Sequence, residues 1–121
     1  MNKKILILDD DEDILDIVSF LLRENGYEVQ TLLNGETVFE AIKEFNPELL
    51  LMDVMLGGMD GRVICKRIKN TEETNCLPVI LISGTHDLGN SLLEEGAPND
   101  FVAKPFDIYD LLQKIKDQLP E

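Results

Sequence analysis

Five short apolar runs, each followed by residues at helical spacing, constrain this chain more than any other feature. Ile5–Leu8 is a continuous apolar run bounded by charge, the pattern of a strand buried on both faces. Ile14, Leu15, Val18, Leu21 and Leu22 then recur on one helical face until Asn25-Gly26, a stop signal. Glu28–Leu32 reads as a second strand with a turn at Asn34-Gly35. Val38, Ala41, Ile42 and Phe45 mark a second helix that ends at Asn46-Pro47. Leu49–Met52 is the third strand; after a Gly-rich loop, Val63, Ile64 and Ile68 give a shorter helix. Val79–Ile82 is the fourth strand. From Thr85 to Glu95 the helical pattern is interrupted by Gly89-Asn90, which predicts a short or irregular helix. Phe101–Ala103 is the fifth strand, and Leu111, Leu112, Ile115 and Leu119 share one side of a last helix. Such alternation requires crossover connections, so it predicts a parallel sheet with helices on both faces.

The 121 residues suit one α/β domain spanning 1–121, and a hydrophobic fraction of 44% supplies its core. No apolar run approaches a membrane span. Lys3-Lys4 leads only to a short apolar stretch that stops at Asp9, unlike a signal peptide, so a cytoplasmic location is expected. The net charge of −13 repels phosphate backbones and anionic lipids, which argues against direct nucleic-acid or membrane binding. Cys65 and Cys76 fit no metal-site spacing and are expected to be buried, reduced thiols. There is no internal linker. Leu119-Pro120-Glu121 suits either a chain end or an exit toward another domain.

In open parallel sheets, functional groups gather at the carboxyl ends of the strands. Asp9, Asp10 and Asp11 follow the first strand, Asp53 the third, Ser83-Gly84 the fourth and Lys104-Pro105 the fifth. Crowded carboxylates repel, and a hard divalent cation with oxygen ligands relieves that repulsion. Mg²⁺ fits better than zinc because no Cys or His joins the set. The hydroxyl and the ammonium suit an added anion.

Each residue alone has a plainer reading. Asp9–Asp13 can cap the first helix, a task best assigned to Asp11 or to Glu12-Asp13. An EF-hand fails because Ile14 stands where Gly is needed and Phe20 where Glu is needed. Asp53 alone is as readily a solvated loop carboxylate, Ser83 a helix cap and Lys104 a surface charge. His86 reads as an exposed loop residue, and Met52, Met55 and Met59 as packing. The conjunction carries the functional reading.

With these residues in place, the chain resembles the receiver domains of two-component response regulators over essentially its whole length. The resemblance rests on Ile5-Leu6-Ile7-Leu8-Asp9-Asp10, Leu50-Leu51-Met52-Asp53 with Met59-Asp60-Gly61, Leu81-Ile82-Ser83-Gly84, and Phe101-Val102-Ala103-Lys104-Pro105-Phe106. It implies a flavodoxin-like (βα)5 fold, a doubly wound five-stranded parallel sheet in the order 2-1-3-4-5. It also implies that Asp53 accepts a phosphoryl group from a histidine kinase or histidine phosphotransfer protein. Asp9, Asp10, Asp53 and the backbone carbonyl of Met55 would hold Mg²⁺, and Lys104, joined to Pro105 by a cis bond, would pair with the phosphoryl oxygens. Ser83 and Phe101 would form the switch, while Met55, Gly84 and Thr85 would tune access and lifetime. The response would change the surface around the helix between strands four and five, the fifth strand and the last helix. A downstream effector or a C-terminal output domain would read it, and a phosphorylation-dependent dimer is a further implied partner. Such a module is a self-phosphorylating and self-dephosphorylating switch rather than a turnover enzyme.

Three departures from the family pattern stand out. Gly57-Gly58 replaces the usual Pro and predicts a more flexible loop, the stretch between Ser83 and Phe101 is about a residue short, and Phe101 lacks a Tyr hydroxyl. Two other readings compete. A small aspartyl-phosphate hydrolase of haloacid dehalogenase type would use Asp9 as nucleophile, with Asp9-x-Asp11, a Ser and a Lys mimicking that layout. A receiver-like domain used only for binding is the third.

Overall fold

Strands β1 (Lys4–Leu8), β3 (Leu49–Asp53) and β4 (Val79–Ser83) carry almost nothing but branched aliphatic residues and methionine, and they occupy the centre of the sheet. The computed structural model describes residues 3–84, 97–104 and 106–119. Within these, β2 (Glu28–Leu32) and β5 (Asp100–Ala103) form the edges of a parallel sheet ordered β2-β1-β3-β4-β5. The helices are α1 (Glu12–Glu24), α2 (Val38–Phe45), α3 (Gly61–Lys69) and α4 (Ile108–Gln118), the last helix of the chain. The segment expected to be helical from Thr85 to Glu95 lies outside the described residues, as do His86 and Pro105.

The period-two pleat divides the strand residues between two cores. Leu6, Leu8, Leu50, Met52, Val79 and Leu81 pack with α2 and α3. Ile5, Ile7, Leu49, Leu51, Ile80 and Ile82 pack with α1 and α4. Each fully buried side chain contributes about 1.5–3 kcal/mol, and a slip of one residue would exchange every member of the two sets. Register is therefore fixed, with Leu8 beside Met52, Asp53 beside Ile82 and Ser83 beside Ala103.

Helix ends follow the sequence signals. Asp11 caps α1 by accepting from the Asp13 and Ile14 amides at 2.9 and 3.4 Å, as the cap reading required. Asn46 ends α2 in the left-handed region at φ 53°, and Gly26 takes φ 91° after α1.

One expectation needs correction, that for Cys76, and two local features add detail. Val63 is exposed on α3, and Cys65 takes the buried place beside Ile64 and Ile68 because it falls on the inward face. Cys76 is exposed rather than buried: in the turn after α3, Thr74 and Leu77 point inward and leave Cys76 outside. Cys65 is buried as expected, and that burial pushes its thiol up to about 11. The Gly57-Gly58 connection is a hydrogen-bonded turn. Leu56 and Met59 exchange backbone hydrogen bonds across it, and Met55 pairs with Asp60.

Candidate functional site

Asp53 and Ser83 are the final residues of β3 and β4, while Asp9 and Lys104 are the first residues beyond β1 and β5. The strand order reverses at β1 and β3, so a crevice opens at their carboxyl ends. Into that crevice the sheet delivers Asp9, Asp10 and Asp53, each with a carboxylate oxygen within 4.8 Å of the others.

Asp53 is held on both oxygens. Oδ1 accepts the Met55 amide at 2.9 Å, and Oδ2 accepts Lys104 Nζ at 2.6 Å. Asp9 is 1% exposed; its Oδ1 accepts the Asp11 amide at 3.0 Å, but among the described residues Oδ2 accepts no hydrogen bond. Lys104 Nζ stands 3.9 Å from that oxygen. A buried carboxylate oxygen without a donor is costly, and burial, with the Asp53 charge adding to it, raises the Asp9 pKa to about 6. The Asp11 amide and Lys104 oppose that rise. Burial works against the charge on Lys104, yet its bond to Asp53 and the charges of Asp53, Asp9 and Asp11 hold it above the ordinary amine range.

The donor set fits a hard divalent cation. It is all oxygen, it includes the unpartnered Asp9 Oδ2, and the exposed Asp10 keeps one side open to solvent. Ser83 is 1% exposed at the β4 terminus, and its carbonyl accepts the Lys104 amide at 2.7 Å. Gly84 is exposed, and a Cβ there would meet nothing among the described residues within 4 Å. The Met55 side chain is 69% exposed at the mouth, and Thr85 lies outside the described residues. Phe101 sits on β5, half-buried against the α2/α3 core.

Two contributors are not evident from sequence patterns. Gly61 begins α3 directly against β3, and a Cβ there would overlap the Asp53 carbonyl oxygen and come within 3.0 Å of Val54 Cα. Glycine is therefore what lets α3 dock under the acceptor; the Asp60-Gly61 pair marks the place without giving that reason. Lys114 on α4 donates to the Phe101 carbonyl at 2.7 Å, stands 5.5 Å from its ring centre and lies 3.5 Å from Asp110. Only its place four residues after Asp110 hints at a paired role.

These features define a class first: an open parallel α/β domain with a carboxylate–lysine site at its topological switch point. The response regulator receiver domain family matches residues 5–116, and the chain belongs to it. It is similar to the receiver domain of DrrB, solved in a BeF3-activated form, at 34% identity over 100% of both chains with a TM-score of 0.83; DrrB is from Thermotoga maritima. A CheY-like receiver domain protein of Methanospirillum hungatei matches at 30% identity over 98% of this chain and 94% of that one, with a TM-score of 0.87. A two-component response regulator of Clostridium difficile matches at 28% identity over 98% and 96%, with a TM-score of 0.85. Receiver domains are switches in phosphorelay signalling and work with histidine kinases and effector domains. Family membership leaves the dehalogenase-type reading of Asp9 without support. No helix among the described residues is long and apolar enough to cross a membrane.

Proposed function

We propose that residues 1–121 form one receiver domain that accepts a phosphoryl group on Asp53 from a phosphohistidine of a sensor kinase or phosphotransfer protein. The observation that carries this reading is the Asp53 carboxylate, fixed on one oxygen by the Met55 amide and on the other by Lys104. An Asp53 oxygen forms the new O–P bond as the P–N bond breaks. The electron pair returns to the imidazole, which leaves neutral when its second nitrogen already carries a proton.

Asp9, Asp10 and Asp53, with the Met55 carbonyl, would hold Mg²⁺, whose charge offsets the negative charge spread over the transferring group. Lys104 adds a second positive charge beside the same carboxylate. It is already charged and in contact with Asp53, so it can follow an added phosphoryl group with a charge-assisted bond. Ser83, at the neighbouring strand end, is the hydroxyl that would turn toward the new oxygens. Motion of Ser83 and Lys104 would reach Phe101 through β5 and change the surface around the 85–95 segment, β5 and α4. An effector, an output domain or a second copy would read that surface. Met55 at the mouth, with Gly84 and Thr85, would govern water access and hence the lifetime of the acyl phosphate.

Exposure to acetyl phosphate, or to beryllofluoride, in the presence of Mg²⁺ tests the reading. The expected result is modification or NMR perturbation centred on Asp53, abolished by Asp53→Asn and by chelation. An unmodified Asp53 in the intact protein sinks it.

A further inference from the structure

Leu56 donates to the Met59 carbonyl at 3.1 Å, and Met59 donates back to the Leu56 carbonyl at 3.4 Å. Between them Gly57 and Gly58 take φ values of 54° and 100°. Two central residues with positive φ are what a type I′ hairpin turn demands, and the antiparallel Met55–Asp60 pair completes a miniature hairpin. We infer that this hairpin holds the Met55–Asp60 lip of the acidic site in place without a metal ion, with Gly57 and Gly58 as positioning residues.

Both ends of the hairpin are anchored. Val54 donates to the Ile82 carbonyl at 2.9 Å, and Gly61 donates to the Val54 carbonyl at 2.7 Å. The Leu56 side chain is buried in the α2/α3 core. Met55 sits inside this frame and places its amide on Asp53 Oδ1. At the tip, a Cβ on Gly57 would lie 3.5 Å from Asp10 Oδ2, so the turn walls the cluster beside its one exposed carboxylate. A proline at position 57, fixed near φ −65°, could not adopt this turn. Backbone held by its own hydrogen bonds is not ordered at the expense of binding, so the lip favours metal affinity. This last step rests on the Mg²⁺ reading above; the turn itself does not.

Amide exchange by NMR on the whole protein separates the two. In EDTA the Met59 and Gly61 amides are expected to be protected, and Mg²⁺ should change their exchange less than about threefold. Gly58→Val places a β-branched residue at φ 100°, where its Cβ meets nothing within 4 Å, so it acts through the backbone alone. It should speed exchange at Met59 about tenfold, leave Leu51 and Ile80 unchanged, and weaken the Mg²⁺ dissociation constant from calorimetry about tenfold. Gly57→Asn, compatible with φ 54°, should keep Met59 exchange within about twofold of wild type, which ties the Gly58→Val effect to the backbone of the turn. Amides that gain protection only when Mg²⁺ is added overturn the inference, as does a Gly58→Val protein with an opened lip and unchanged Mg²⁺ affinity. If the wild-type protein takes up no Mg²⁺, the metal reading fails, and with it the affinity half of the inference. The exchange in EDTA still decides the turn.

Discussion

The two sides of the acidic crevice are built from different materials. On the β3–α3 side, residues 54–61 are tied by backbone hydrogen bonds and by the buried Leu56. On the β5 side, lysine side chains are added to the strand's pairing with β4: Lys104 on Asp53, and Lys114 on the Phe101 carbonyl and Asp110. β5 is an edge strand with only Val102 fully buried, whereas every residue of β3 is buried. Backbone pairing does not respond to a nearby anion, but an ammonium does. A charge arriving at Asp53 would therefore leave one wall standing and redistribute the contacts of the other.

The largest blow to this contrast is expected from Gly61→Ala. A methyl group there overlaps the Asp53 carbonyl oxygen, so α3 must move away from β3. Urea denaturation should show a loss of about 3 kcal/mol or more, and a loss under about 1 kcal/mol would mean that the backbone wall yields easily.

Next in size is a pH effect at Asp9, whose pKa in the fold is about 6 against about 3.9 in an unfolded chain. Because the folded value is the higher one, the stability from this group is fully present below about pH 4 and is lost as pH rises through 6. In EDTA, the difference in stability between Asp9→Asn and wild type should shift in favour of the variant, by on the order of 2–3 kcal/mol, from pH 4 to pH 7.5. Saturating Mg²⁺ should reverse the preference. A difference that does not change with pH would remove the electrostatic strain from Asp9.

Lys114→Met should cost about 1 kcal/mol and speed amide exchange along β5, with the Met59 amide untouched. Equal loosening on both sides would erase the distinction. The smallest effect is ionic: raising salt from 0.05 to 0.5 M should loosen β5 severalfold in exchange and alter residues 56–61 by less than about twofold, as screening acts on charges and not on backbone pairing.

The alternation of runs was enough to place all five strands and four helices, since each strand needed its apolar residues and each helix its spacing. Asp9, Asp10, Asp53 and Lys104 could be placed at one edge because strand ends in a parallel sheet must converge there. What the sequence hid was backbone conformation. Gly57-Gly58 looked like slack, but the same two residues are what a tight I′ turn requires, and only the pairing of Leu56 with Met59 decides between the two. Cys76 was misplaced because apolar character does not say which way a side chain faces in a short turn. Gly61 and Lys114 act through three-dimensional neighbours, Asp53 and Phe101, that lie elsewhere along the chain.

The pleat that sends Leu6, Leu50 and Leu81 one way and Ile5, Leu51 and Ile80 the other has a further consequence. Apart from the shared strand backbones, the interiors on either side of the sheet are chemically separate compartments. Mutations accumulating beneath α1 and α4 can be compensated there without disturbing the packing beneath α2 and α3. A lineage could thus remodel one flank for a new docking partner while the flank supporting the hairpin and Gly61 keeps its packing.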